Sequence, residues 1–104
     1  MTMEEKRKFR RVPMDAHIEG EAGDVAYTAE ARNISAGGML IRTTHTLREG
    51  EAIRLRFELP GTGTKLAISG VVQHVSPGAY MGIRFTEISP QDFKLINDYV
   101  DAGD

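Results

Sequence analysis

The stretch AIRLRFEL, residues 52–59, carries the clearest structural signal in the chain. Every second residue from Ile53 to Leu59 is apolar, and the intervening positions are charged: Arg54, Arg56 and Glu58. A period of two is typical of a β-strand that turns one face to a core and the other to water. We therefore predict a half-buried strand here and look for others that would share its core.

The chain offers five more candidate strands. MGIRF at 81–85 alternates in the same way, and weaker patterns occupy 16–19, 25–33, 39–43 and 65–75. The last of these contains Gly70, and a glycine inside a strand often marks a bend or bulge. Turn-forming residues separate the segments, at 20–23, 36–38, 60–63 and 76–78. Short, regularly spaced strands of this kind are typical of a small antiparallel barrel.

One helix is predicted at the C-terminus, over about 90–101. Ser89 suits the N-cap, Pro90 the first helical position, and Asp92 stands three residues after the cap. Apolar residues then follow at helical spacing: Phe93, Leu95, Ile96, Tyr99 and Val100. Gly103 would end the helix. The predicted fold is thus all-β with one C-terminal helix, a six- or seven-stranded antiparallel barrel whose open end the helix covers.

Bulk properties restrict the class of protein. A chain of 104 residues is expected to form one domain, here a flexible basic arm over 1–11 and a barrel with its helix over 12–104. With no cysteine, disulfides and thiolate metal sites are excluded. No apolar run reaches the length of a membrane span and the N-terminus lacks a signal-peptide core, so a cytoplasmic location and no membrane partner are expected.

The sequence predicts no enzyme. His17, His45 and His74 are widely separated and none has a metal-ligand spacing. Ser35 is not in a nucleophile elbow, because Asn33 stands where the first glycine is required. The carboxylates show no convergent pair. We therefore expect neither catalytic residues nor a metal nor a cofactor.

Charge is distributed unevenly along the chain. The run KRKFRR at 6–11 contains five cations, and with Glu4 and Glu5 the local net charge is +3. Residues 12–104 hold eight cations and thirteen anions, a net charge of −5. A protein that binds nucleic acid over a broad surface would be expected to carry a basic face on the body as well. A compact anionic ligand therefore matches this charge distribution better, and no nucleic acid is expected. Pro13 disfavours helix for the residue before it, which predicts an extended arm.

A second polar motif, NISAGGM, occupies 33–39. Asn33 offers a donor and an acceptor and Ser35 a hydroxyl, and at a spacing of two the side chains would share one strand face. Gly37 and Gly38 would allow positive φ and the close approach of a flat ring to bare backbone. Taken separately, this motif is equally compatible with an ordinary β-turn, and KRKFRR with a solvated or nucleic-acid-touching tail.

Together, RKFRRVP with Arg7 and Arg11, and NISAGGM with Asn33, Ser35 and Gly38, resemble the signature of the PilZ domain family. That signature is Arg-x3-Arg, followed some twenty to thirty residues later by Asp/Asn-x-Ser-x-x-Gly. MGIRF resembles the closing strand of the family, and the likeness spans roughly 5–101. Two departures are Arg10, where many members have Pro, and Lys6, where Arg is common.

The resemblance implies a receptor for cyclic di-GMP. Arg7 and Arg11 would contact guanine and phosphate, Asn33 and Ser35 a guanine edge, and Gly38 would let the base lie against the barrel. Lys6, Lys8 and Arg10 would be supporting cations. Two stacked ligands are expected, with Lys6 reaching the second.

We further expect the arm to change conformation on binding, and a single-domain member to signal to an unidentified protein in trans. The alternative is an interaction module that binds no nucleotide and uses its basic arm on a protein or RNA.

Overall fold

The computed structural model describes residues 9–103, and in that range the chain forms six strands and one helix. The elements in chain order are β1 (Val12–Ala22), β2 (Val25–Ser35), β3 (Gly38–Arg42), β4 (Ala52–Leu59), β5 (Thr64–Ser76), β6 (Tyr80–Glu87) and α1 (Pro90–Ala102). The predicted strand at 52–59 is confirmed to the residue. The predicted strand at 16–19 is too short, because β1 continues to Val12 on one side and to Ala22 on the other.

The six strands close into an antiparallel barrel in the order β1-β2-β3-β6-β5-β4. Pairing of β4 with β1 closes it through a short ladder that includes Gly20 and Leu55. A Cβ at Gly20 would lie 2.0 Å from the carbonyl oxygen of Arg54, so this close approach of the two strands requires glycine. Among residues 9–103, closure leaves no edge strand to pair with another chain.

Alternate residues of the strands fill the barrel, and α1 packs against the same core. The largest fully buried side chains include Ile18, Ile34, Met39 and Leu55, and they form one cluster with Ile96 and Val100 of the helix. The helix begins as predicted: the Ser89 hydroxyl accepts a hydrogen bond from the Asp92 amide at 3.0 Å. No helix in the range 9–103 is long and apolar enough to cross a membrane.

Two irregularities at the start of the barrel determine which side chains face outward. Pairing of β1 with β2 shifts between Pro13 and Ala16, and pairing of β2 with β3 shifts between Ala31 and Asn33. Ala31 is buried and Ile34 is fully buried, so the inward position changes parity across the shift. As a result Asn33 lies on the outer face. The bulges in β5, one of them beside Gly70, confirm the predicted irregularity there.

Candidate functional site

The NISAGGM segment forms the end of β2, a two-residue loop and the start of β3. Ser35 and Gly38 are the last paired residues of this hairpin. The Ser35 hydroxyl accepts a hydrogen bond from the Gly37 amide at 3.1 Å and donates one to the Gly38 carbonyl at 3.4 Å. Ser35 is buried to 3% exposure, so its hydroxyl stabilises the turn. A hydroxyl has two lone pairs, and one remains after these two bonds.

Strand pairing brings the basic segment to this turn. Val12 pairs with Ile34 and Pro13 with Asn33, so the residues before β1 arrive beside the end of β2. Arg11 Nη1 donates a hydrogen bond of 2.9 Å to Asn33 Oδ1, across a sequence separation of 22 residues. The two motifs that the sequence keeps apart are therefore in direct contact in the folded chain.

The structure places six of the nine predicted site residues. Arg10 and Arg11 are exposed, Asn33 and Gly37 are half-buried, and Ser35 and Gly38 are buried. The remaining three, Lys6, Arg7 and Lys8, lie outside the described residues, as does most of the predicted arm over 1–11.

Gly37 and Gly38 do not use positive φ, so that part of the sequence prediction is wrong. The glycines are needed for space. A Cβ at Gly38 would lie 2.1 Å from the carbonyl oxygen of Ile83, so the approach of β6 to β3 requires glycine at this position. A Cβ at Gly37 would lie 2.6 Å from Cδ2 of Phe9. The flat ring that approaches bare backbone in this structure is the chain's own Phe9.

Phe9, which lies within the predicted arm over 1–11, packs against the body of the domain. Its side chain is half-buried and contacts the hydrophobic core cluster. Its ring meets Phe93 of α1 edge to face, with ring centroids 5.7 Å apart and an interplanar angle of 78°. The base of the arm is thus attached to both the NISAGGM turn and the helix.

Residues that the sequence analysis did not select continue this outer face. Cross-strand pairs form a row from Asn33 to Leu40, from Leu40 to Gly82 and from Gly82 to His74. A Cβ at Gly82 would lie 2.9 Å from the His74 ring, so the imidazole rests on bare backbone. The row crosses three strand spacings, about 14 Å at roughly 4.8 Å each. The row ends in two polar side chains, Asn33 and His74, with Gly82 and half-buried Leu40 between them.

Arg84 adds a cation to the same surface. It is exposed on β6 directly opposite Gly38. The alternation in MGIRF indicated that Arg84 and Gly82 face outward, but only the pairing of β3 with β6 places them beside the motif. Sequence alone contained no signal for that pairing.

The outer face near the NISAGGM turn carries cations and hydrogen-bond donors. No group of three or more His, Asp or Glu side chains able to hold a metal occurs within residues 9–103. Burial raises the pKa of Tyr27, while a hydrogen bond with Thr43 opposes the rise. The Tyr27 hydroxyl donates to the His45 carbonyl at 2.6 Å, away from the NISAGGM turn. Arg11, Asn33 and Arg84 place hydrogen-bond donors on the outer face near the NISAGGM turn, and such donors suit an anionic ligand.

The fold is a closed six-stranded barrel with a C-terminal helix, and an Arg-Asn contact lies beside a tight Ser-Gly hairpin. These features define a class of small ligand-binding barrel domains. The PilZ domain profile matches residues 5–102, and the chain belongs to the PilZ domain family. This confirms the family that the two motifs resembled.

Solved structures show the same fold at low sequence identity. The inhibitor of motility MotI/DgrA of Bacillus subtilis superposes with a TM-score of 0.85 at 20% identity, covering 95% of this chain and 51% of MotI. The PilZ domain of YcgR from Escherichia coli, solved with c-di-GMP, gives 0.78 at 15% identity, covering 95% of this chain and 92% of that domain. The MrkH–c-di-GMP complex of K. pneumonia gives 0.75 at 19% identity, covering 91% and 51%.

The chain therefore spans about half the length of MotI and of MrkH. No curated protein sequence matches it.

Proposed function

We propose that this protein is a receptor for cyclic di-GMP that binds the dinucleotide between its basic arm and the NISAGGM turn. The observation that carries the proposal is the 2.9 Å contact between Arg11 and Asn33, which joins the two motifs at one place. Membership of the PilZ family and the c-di-GMP complexes of YcgR and MrkH support this choice of ligand.

The donor set suits the chemistry of the dinucleotide. Cyclic di-GMP carries two phosphates and two guanines. A guanidinium forms bidentate hydrogen bonds with a phosphate or with the O6/N7 edge of guanine, and the amide of Asn33 can both donate and accept. Asn33 is uncharged, so its bond to Arg11 orients the guanidinium and contributes no negative charge that would repel phosphate. Arg84, opposite Gly38, lies close enough to the turn to add attraction for an anion.

Ligand binding should bring the arm onto the turn. Arg7 would join Arg11 on the ligand, and Lys6, Lys8 and Arg10 would balance further charge. We propose two stacked ligands per chain. The four phosphates of such a pair would repel one another in a small volume, and the several cations of the arm would offset that repulsion. The change at the arm would then be the signal presented to a partner protein.

Calorimetric titration tests the proposal directly. We expect saturable binding of cyclic di-GMP with an endpoint near two per chain, falling toward one in Lys6→Leu. Cyclic di-AMP should bind more weakly, because adenine presents a donor where guanine O6 accepts. GTP serves as a second control.

Equal affinities for the two dinucleotides would contradict the assignment of the site. An endpoint of one for the wild type would remove the stacked pair and leave the receptor intact. Binding of RNA with a steep salt dependence, with no binding of cyclic di-GMP, would favour the interaction-module alternative.

A further inference from the structure

The ring of Phe9 occupies a notch formed by the NISAGGM turn and α1. On one side a Cβ at Gly37 would lie 2.6 Å from Phe9 Cδ2 and 3.0 Å from Cε2. On the other side Phe93 contacts the ring edge to face at 5.7 Å between centroids. Phe9 stands two residues before Arg11 and two after Arg7, in the middle of the Arg-x3-Arg motif.

The notch depends on two separate elements. The turn contributes a residue with no side chain, because any larger residue at position 37 would overlap the ring. The helix contributes Phe93, and α1 is itself held to the barrel by the buried side chains of Ile96 and Val100. A change in the position of α1 would therefore alter the notch without touching the Arg11–Asn33 contact.

We propose that Phe9 is a positioning residue that anchors the base of the arm, so that α1, through Phe93, controls how tightly the ligand is held. The proposal rests on the function proposed above. A segment that is already fixed near its bound position loses less conformational freedom on binding, and the ligand affinity rises accordingly. Phe93 acts on the ligand only through Phe9, and the anchor acts by placing the cations of the arm.

Phe93→Ala is the central variant, with Leu95→Ala as its matched control. Both residues are half-buried apolar side chains on α1 that pack against the core. Two residues along a helix correspond to about 200° of rotation, so Leu95 lies on a different side from Phe93. We expect about ten-fold weaker binding in Phe93→Ala, near the upper end of what an aromatic pair contributes. Affinity in Leu95→Ala should stay within about two-fold of wild type.

Two double variants distinguish a positioning role of Phe93 from a general loosening of the structure. Phe9→Ala/Phe93→Ala should bind no more weakly than the worse single variant, because both remove the same contact. Phe93→Ala should have a smaller effect in an Arg7→Ala background, where one of the cations that the anchor places is gone. A merely structural role of Phe93 would reduce affinity in every background. Equal losses of affinity in Phe93→Ala and Leu95→Ala would overturn the proposal.

A measurement without ligand tests the anchoring role of Phe9 separately from the proposed function. Trypsin cleaves after Lys8, at the bond directly before Phe9, and after Arg10, one residue beyond it, and local release of a segment exposes it to protease. Cleavage there should be faster in Phe93→Ala than in wild type or Leu95→Ala.

If the wild type binds no cyclic di-GMP while this difference persists, the proposed function fails and the anchor stands. If the wild type binds and Phe93→Ala changes neither cleavage nor affinity, the anchor is refuted.

Discussion

Arg11→Ala is the substitution that tests the proposed site most directly. In the folded chain Arg11 is exposed and donates to the neutral side chain of Asn33 at 2.9 Å. An exposed hydrogen bond of this kind contributes on the order of 0.5–1 kcal/mol to stability. A hydrogen bond to a charged ligand contributes about 1.5–3 kcal/mol. The variant should therefore bind cyclic di-GMP roughly 10- to 150-fold more weakly while remaining close to wild type in stability.

Calorimetry and thermal melting of the same samples measure the two effects separately. For a domain of this size 1 kcal/mol corresponds to about 4–8 °C, so the melting temperature without ligand should fall by no more than that. Arg48→Ala is the matched control, because Arg48 is also an exposed arginine but lies in the loop after β3, at the opposite end of that strand from Gly38. It should change neither quantity. Unchanged affinity in Arg11→Ala would show that Arg11 is not a ligand-binding residue, and a much larger drop in melting temperature would show that Arg11 has a mainly structural role.

Two further predictions concern the barrel. Gly38→Ala should destabilise the fold by about 1–3 kcal/mol, because its Cβ would meet the Ile83 carbonyl at 2.1 Å. Gly103→Ala is the control, since the nearest contact of a Cβ there is at 3.5 Å. Equal melting temperatures of the two variants would refute the close approach of β3 and β6. Burial raises the folded-state pKa of Tyr27 above its ordinary value of about 10, so the unfolding free energy should hold below pH 10 and fall as the pH rises from there through the folded-state pKa. Urea unfolding at pH 9 and 10.5 should show a smaller fall in Tyr27→Phe than in wild type, and equal falls would contradict this origin.

Much of the local structure was readable from the sequence. The strand at 52–59 and the start of α1 at Pro90 were predicted to the residue, because period-two alternation and N-cap chemistry depend on neighbours along the chain. The two halves of the candidate site were also predicted, since the residue types and their spacing are properties of the chain itself. The family followed from those same two motifs.

The extent of β1 was predicted less well. Burial alternates regularly along β1 from Val12 to Gly20, although its pairing with β2 shifts between Pro13 and Ala16. Val12 and Met14 are buried in the extra segment, and their burial depends on partners contributed by the rest of the barrel. A local pattern does not contain those partners.

Only the tertiary structure decided how the site is assembled. Arg11 reaches Asn33 because β1 pairs with β2, Gly38 is indispensable because β6 passes beside it, and Phe9 is held because α1 brings Phe93 to the turn. Each of these contacts joins residues far apart in the chain, and each depends on the pairing or packing of separate elements. The sequence by itself determined which chemical groups are available, whereas the closed barrel determined which of them meet. The reason is that pairing partners and close approaches are set by long-range packing, which local periodicity does not encode.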